Sequence, residues 1–345
     1  MVGSAAAVLE KPGFRKIEWL PRDIAVERRD DGVIVLKSRI PLQGYATHIP
    51  ASLAKWAKEA PERIWLAQRA GEKRKWRKVS YGEAKRIVDS LTQGLLNLKL
   101  DEGRPVAILS GNSIEHALMT QAAMQARLPA APVSPAYSLM SHDHQKLKYL
   151  FGLIKPAVVM VQDGPTFERA LNALDLDGVT VVHVARSCES IKSVAFAELA
   201  TTPVTKDVEE SVAKITPQTI GKLLFTSGST GMPKAVINTQ EMMCANAAMM
   251  MQVRPREPGG PLSTVLDWMP WNHTMAATRR SIRCWSTAAL CISTTVDRFR
   301  GSSTKPSRIF ARFLRLITRT CRPAMPRWPP RWRRTMRSAA ASSRT

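Results

Sequence analysis

Between two apolar runs the chain places six small or hydroxylated residues, Thr226-Ser227-Gly228-Ser229-Thr230-Gly231, and then Met232, Pro233 and Lys234. Gly228 and Gly231 permit backbone angles other residues avoid and leave no side chain to block an incoming anion. Successive N–H groups in such a loop can form a concave nest for phosphate oxygens. Thr226, Ser227, Ser229 and Thr230 add hydroxyl donors, and Lys234 adds a mobile positive charge. The chemistry is that of a polyphosphate grip, hence of a nucleotide site. A Ser/Gly-rich surface turn has the same composition. What favours the grip is the order of residue types, from the strand-like run Leu223–Phe225 through the loop to a second strand-like run, Ala235–Ile237. The Walker pattern is excluded, because it needs a Gly-Lys pair and this lysine follows proline. A nucleophile elbow is excluded as well: it needs glycine two places before its serine, and Ser229 has Ser227 there.

A second candidate group is His273, in the run Val265-Leu-Asp-Trp-Met-Pro-Trp-Asn-His-Thr274, which passes from a strand into a polar turn. Taken alone, a histidine there reads as hydrogen-bonded structure. His48, His116, His142, His144 and His183 read the same way; His142 and His144 are two apart, so on a helix they would not face one ligand. Five cysteines without close pairing make no metal-ligand spacing and fit a reducing compartment. No metal ligand is assigned.

The elements that must carry these groups alternate. Helices are expected over 51–60, 81–98 (Ser80 and Glu83 forming a capping box), 114–126, 143–154 and 241–252. Strands are expected at 34–37, 65–69, 106–109, 130–133, 157–161 and 179–184, and 203–217 reads as a polar surface linker. Such alternation means parallel βαβ units and an α/β fold. The methionines of 241–252 read as core packing. There is no apolar run of about 18 residues, so no membrane span is expected. Met1–Pro12 is a poor secretory signal, and the cytoplasm is the expected location.

Net charge is +23, yet it is not evenly spread. Residues 278–345 hold 17 Lys and Arg against one acid, Asp297, a net +16; residues 1–277 hold 34 basic and 27 acidic residues, a net +7. The same 68 residues contain no Glu, Gln, Asn, His or Tyr. A basic nucleic-acid arm would ordinarily use lysine and the amides; this stretch has a single lysine, Lys305. The bias is that of a GC-rich gene read out of frame. Restoring one G after the codon for Met275, with permitted wobble bases, lets 276–296 read GGNAAFNPLLVNGGTLHLDDG and 297–315 read RPVPGLFDETIANLREISP. That text has a strand, a Gly-Gly turn and an amphipathic helix. A genuine basic arm is the alternative, with Trp328 and Trp332 stacking on bases and Arg331, Arg333 and Arg334 on phosphates. In either case residues 278–345 are expected to lack a core.

Thr226-Ser-Gly-Ser-Thr-Gly-x-Pro-Lys234 resembles the phosphate loop of the adenylate-forming superfamily, which includes acyl-CoA synthetases, luciferases and peptide-synthetase adenylation domains. FTSGSTGMPKAVINT, with Ala235 where that superfamily usually has glycine, resembles the feruloyl-CoA synthases. So do SYGEA at 80–84, PVAILSGNSIEHAL at 105–118 and APVSPAYSLMSHDHQKL at 131–147. The resemblance implies an incomplete large N-terminal domain of the adenylate-forming fold over 45–277, after an N-terminal extension at 1–44 and before a disordered or non-native basic tail at 278–345. It implies a ligase: a carboxylate attacks the α-phosphate of Mg-ATP to give an acyl-adenylate and pyrophosphate, and coenzyme A then takes the acyl group as AMP leaves. ATP, Mg²⁺ and coenzyme A are the implied cofactors, and a small carboxylic acid such as ferulate is the substrate. Neither membrane nor nucleic acid is an expected partner. Lys234 and His273 are the implied catalytic residues, with Thr226–Gly231 and Lys234 binding nucleotide; His273 matches the histidine of a Pro-x-x-His element near the reacting carboxylate. After Ala277 there is no Tyr-Gly-x-Thr-Glu element with its Mg²⁺-holding glutamate, no ribose-binding Thr-Gly-Asp, and no C-terminal domain with its catalytic lysine. The chain as written is therefore expected to be inactive, with a frameshift after 275–277. Another acyl-CoA synthetase (coumarate or fatty acid) and a nucleotide- or nucleic-acid-binding protein with a basic tail remain as alternatives.

Overall fold

A computed structural model describes residues 19–70, 75–226, 231–253, 264–267, 269–274 and 290–293. Trp19–Asp297 form one compact unit, and the second unit, Met1–Glu18 with Arg298–Thr345, lies outside the described residues. An antiparallel ribbon comes first, β1 (Ile24–Arg28) with β2 (Ile34–Ser38). The segments on either side of this ribbon are tied to one helix end: Leu20 N donates to Val253 O (3.1 Å) and Gln43 N to Gln252 Oε1 (2.9 Å).

The body is three layers. Its seven-stranded sheet runs β11 (Lys234–Thr239), β10 (Ile220–Thr226), β6 (Ala130–Pro132), β5 (Val106–Leu109), β7 (Val158–Val161), β8 (Thr180–His183), β9 (Val194–Ala195). Every pairing is parallel except that of β10 with β11. Strands covered on both faces read as unbroken apolar runs, and all four residues of β5 and of β7 are buried. Alternate residues serve opposite faces. Val106, Ile108, Val158 and Met160 pack with α2 (Tyr81–Asn97) and α3 (Ile114–Gln125); Ala107, Leu109, Val159 and Val161 pack with α5 (Gln145–Ile154) and α6 (Gly164–Leu171). The expected capping box of α2 is present: Glu83 N donates to Ser80 Oγ (3.2 Å) and Ser80 N to Glu83 Oε2 (3.4 Å).

A four-stranded sheet, in the order β12 (Thr264–Asp267), β13 (Leu290–Ser293), β3 (Ile64–Ala70), β4 (Lys75–Ser80), lies beside α2 and α3, with α1 (Ile49–Glu59) packed on the same two helices. Trp65 of β3 is fully buried, stacked on Tyr81 with ring centroids 6.0 Å apart, and shares a core with Ile49 and Leu53. Trp65→Ala is expected to cost about 3–5 kcal/mol, read as a lower urea midpoint at unchanged slope.

Two readings need correction. The polar segment 203–217 is not merely a linker, for Lys206–Ala213 is a helix, α8. Its attachments are polar and so invisible to hydrophobic periodicity. Thr205 caps it by accepting from Asp207 N (3.2 Å) and donates to Gln93 Oε1 (2.8 Å), while Ser211 Oγ donates to Gln125 O (2.7 Å). In α9 (Gln240–Val253) the methionines are not uniformly core: Met243 is buried, but Met242 and Met249 are 57% and 47% exposed. The helix buries Met243, Cys244, Ala247 and Ala248, an i, i+1, i+4, i+5 stripe that leaves Met242 and Met249 outside it. Of 278–345 the described residues are 290–293, which form β13 between β12 and β3. Its four residues, Leu-Cys-Ile-Ser, are mostly apolar and suit a central strand. Residues 294–345 lie outside the described residues.

Candidate nucleotide-binding loop and its histidine partner segment

The β10–β11 hairpin presents the loop. Thr226, the last residue of β10, lies directly opposite Lys234, the first of β11, so the two strands form an antiparallel hairpin joined by residues 227–233. Thr226 is half-buried, Pro233 buried and Lys234 exposed. Gly231 has φ +86°, which L side chains rarely adopt; the glycine there is a conformational requirement. Ser227, Gly228, Ser229 and Thr230 lie outside the described residues. Because β10, β6 and β5 run parallel, the loop opens at the carboxyl-end edge of the sheet, where ligands of open α/β sheets bind.

His273 is exposed and sits in a tight turn, its N–H donating to Pro270 O (3.0 Å). The turn is held from below by the β5–α3 connection, at the same carboxyl-end edge. Asn112 Nδ2 donates to Met269 O (2.7 Å) and Asn112 Oδ1 accepts from Trp271 N (2.8 Å). The buried indole of Trp271 donates to the buried carboxylate of Asp267 (2.7 Å) and meets His116 edge to face at 5.3 Å. Sequence reasoning placed His273 but missed Asn112 and Asp267; the available signal was an asparagine directly after the strand-ending Ser110-Gly111.

The five remaining histidines have no shared site. His48 Nδ1 accepts from Ala51 N as the cap of α1 (3.2 Å), His144 contacts Tyr137 O (3.3 Å), and His183 contacts Ser193 Oγ (2.9 Å). His142 is exposed. His116 is buried against Ser110 Oγ (3.1 Å) and Gly111 O (3.2 Å); burial, with Lys222 adding repulsion, pushes it down to about 3, so it stays neutral.

Lys222 on β10 is fully buried, and that burial alone pulls it down to about 7. Unfolded chain therefore binds more protons than folded chain between pH 7 and 10.5, so stability rises with pH across that window and is lost as pH falls toward 7. Lys222→Met is expected to flatten the rise of stability with pH, measured by urea denaturation at pH 7 and 10. A wild-type stability that does not rise between those pH values would sink this account.

The chain belongs to the AMP-binding enzyme family, whose model matches residues 53–343. A curated relative, phosphinothricin tripeptide synthetase PhsB of Streptomyces viridochromogenes, is 25% identical over 214 residues, 62% of this chain and 16% of that protein. Among solved structures, a fatty acyl-adenylate ligase from L. pneumophila in complex with acyl adenylate and pyrophosphate has TM-score 0.60 at 15% identity, covering 80% of this chain and 43% of that one. The adenylation domain of a keto acid-selecting NRPS module bound to keto acyl adenylate has TM-score 0.63 at 18% identity, with 81% and 46% covered. VinN with L-aspartate has TM-score 0.55 at 17% identity, with 72% and 58% covered. These likenesses carry the α/β fold of adenylate-forming enzymes, and the chain spans about half the length of the structures it matches. Among the described residues no helix is long and apolar enough to cross a membrane, and no group of His, Cys, Asp and Glu could hold a metal ion.

Proposed function

We propose that this chain carries the nucleotide-gripping part of an ATP-dependent acid ligase. The observation that carries the reading is the Thr226–Lys234 pair that ends the β10–β11 ladder at the carboxyl-end edge of a parallel sheet, flanking the glycine-hydroxyl sequence 226–231, in a chain of the AMP-binding family. The backbone and hydroxyls of Thr226–Gly231 would hold the phosphates, and Lys234 would meet the negative charge that builds on them as the carboxylate oxygen attacks the α-phosphate and pyrophosphate departs. His273 would orient that carboxylate. Mg²⁺ would screen the triphosphate. The described residues make no metal site of their own, so no step is assigned to it.

The finer reading is a hydroxycinnamate substrate such as ferulate, with coenzyme A as acyl acceptor; its support is the four motif strings over 80–239. The domain limits 45–277 and a frame change after 275–277 belong to the same proposal. Its support is the composition of 278–345. ATP–pyrophosphate exchange on the frame-restored protein tests it. Ferulate is expected to drive exchange more efficiently than coumarate or a fatty acid, and product with coenzyme A is expected to be a thioester. Exchange driven best by a fatty acid removes the hydroxycinnamate assignment. Salt-sensitive DNA binding by the chain as written, with no nucleotide binding, would favour the basic-arm alternative.

A further inference from the structure

We propose that Asn112 and Asp267 are positioning residues that lock the Met269–Thr274 turn and so fix the direction in which His273 faces the acid. The inference rests on the adenylation reading above and adds to it the groups that orient its histidine. Asn112 uses both ends of one amide on one turn, donating to Met269 O (2.7 Å) and accepting from Trp271 N (2.8 Å). An amide is suited to this, because it offers donor and acceptor together. Asp267 takes the indole N–H of Trp271 (2.7 Å), and His116 meets the same ring edge to face. Trp271 is thus gripped by main chain, indole nitrogen and ring. The grip passes on: Pro270, between the two residues Asn112 holds, accepts the N–H of His273 at 3.0 Å. All three gripping groups are buried, whereas His273 is exposed. Burying an amide and a carboxylate is costly unless their bonds are made, and the bonds they make here include those that shape this turn. Asn112 projects from the carboxyl end of β5, the edge on which the phosphate loop opens, so the clamp ties the histidine turn to the sheet that carries the nucleotide grip.

The test has two arms. In the full chain, histidines labelled at Cε1 give the His273 resonance by NMR, identified by its loss in His273→Gln, and hydrogen exchange reports the Trp271 indole and amide. Asn112→Asp keeps the acceptor but removes the donor; with Asp267→Asn it is expected to shift or broaden the His273 resonance and to speed Trp271 exchange about tenfold or more. Leu118→Ala, a core change in α3, is expected to leave both as in wild type. Unchanged signals in Asn112→Asp, or the same change in Leu118→Ala, overturn the clamp. In the frame-restored protein, Asn112→Asp is expected to raise the KM of the acid about tenfold or more while leaving that of ATP alone. An unaltered KM with a displaced His273 signal overturns the positioning role alone. No exchange with any acid in the unsubstituted protein sinks the adenylation reading, and this inference with it.

Discussion

Inserting one G after the codon for Met275 is expected to raise acid-dependent ATP–pyrophosphate exchange by about a thousandfold or more over the chain as written. Removing a single preorganised donor from a charge-stabilising site costs about a hundred- to a thousandfold. On the proposed frame change, several groups that the family resemblance implies are supplied only by the restored frame; the described residues hold no carboxylate cluster for a metal. β13 lies parallel to both β12 and β3. What the restored frame changes on either side of it is composition, where arginine gives way to acids, amides and glycines. Equal exchange rates from the two proteins would refute the frame change, as would a genomic read with no family frame downstream.

Lys234→Ala in the frame-restored protein is expected to cut exchange by about a hundred- to a thousandfold at unaltered stability. The side chain is exposed, and the main chain pairs opposite Thr226 in the hairpin. Exposed substitutions of this kind move stability by about 0.5 kcal/mol or less, so the urea midpoint is expected to stay put while catalysis falls. Lys234→Arg is expected to recover part of the loss, because charge is kept while the compact ammonium is not. Exchange within about twofold of the unsubstituted enzyme would remove Lys234 from the reaction and leave it a loop-flanking surface residue.

How much was legible followed from which force holds each element. The strands of the parallel sheet, buried on both faces, announced themselves as Val106–Leu109 and Val158–Val161. Helix α2 announced its start through Ser80 and Glu83, whose bonds are local in sequence. The hairpin that carries the proposed phosphate loop was legible because two strand-like runs flank nine consecutive residues of small, hydroxylated and turn-forming types, 226–234. Helix α8 was not, because Thr205 and Ser211 reach α2 and α3 across more than 80 residues of chain. Asn112 and Asp267 stayed hidden for the same reason. An asparagine in a turn and an aspartate at a strand end are ordinary in sequence, and the 157-residue separation between Asn112 and Met269 is closed only by the fold. The exposed methionines of α9 mark a further limit, since composition states what can be buried and only the neighbouring surface decides which residues are.

The segment 227–233 hangs from a strand that, among the described residues, is bonded along one side only: β11 pairs with β10, while Val236 and Ile237 stand 39% and 52% exposed. A selvedge bonded on one flank opens more readily than cloth bonded on two. On the proposed nucleotide grip, a strand laid along that flank is expected to tighten ATP binding without touching a phosphate.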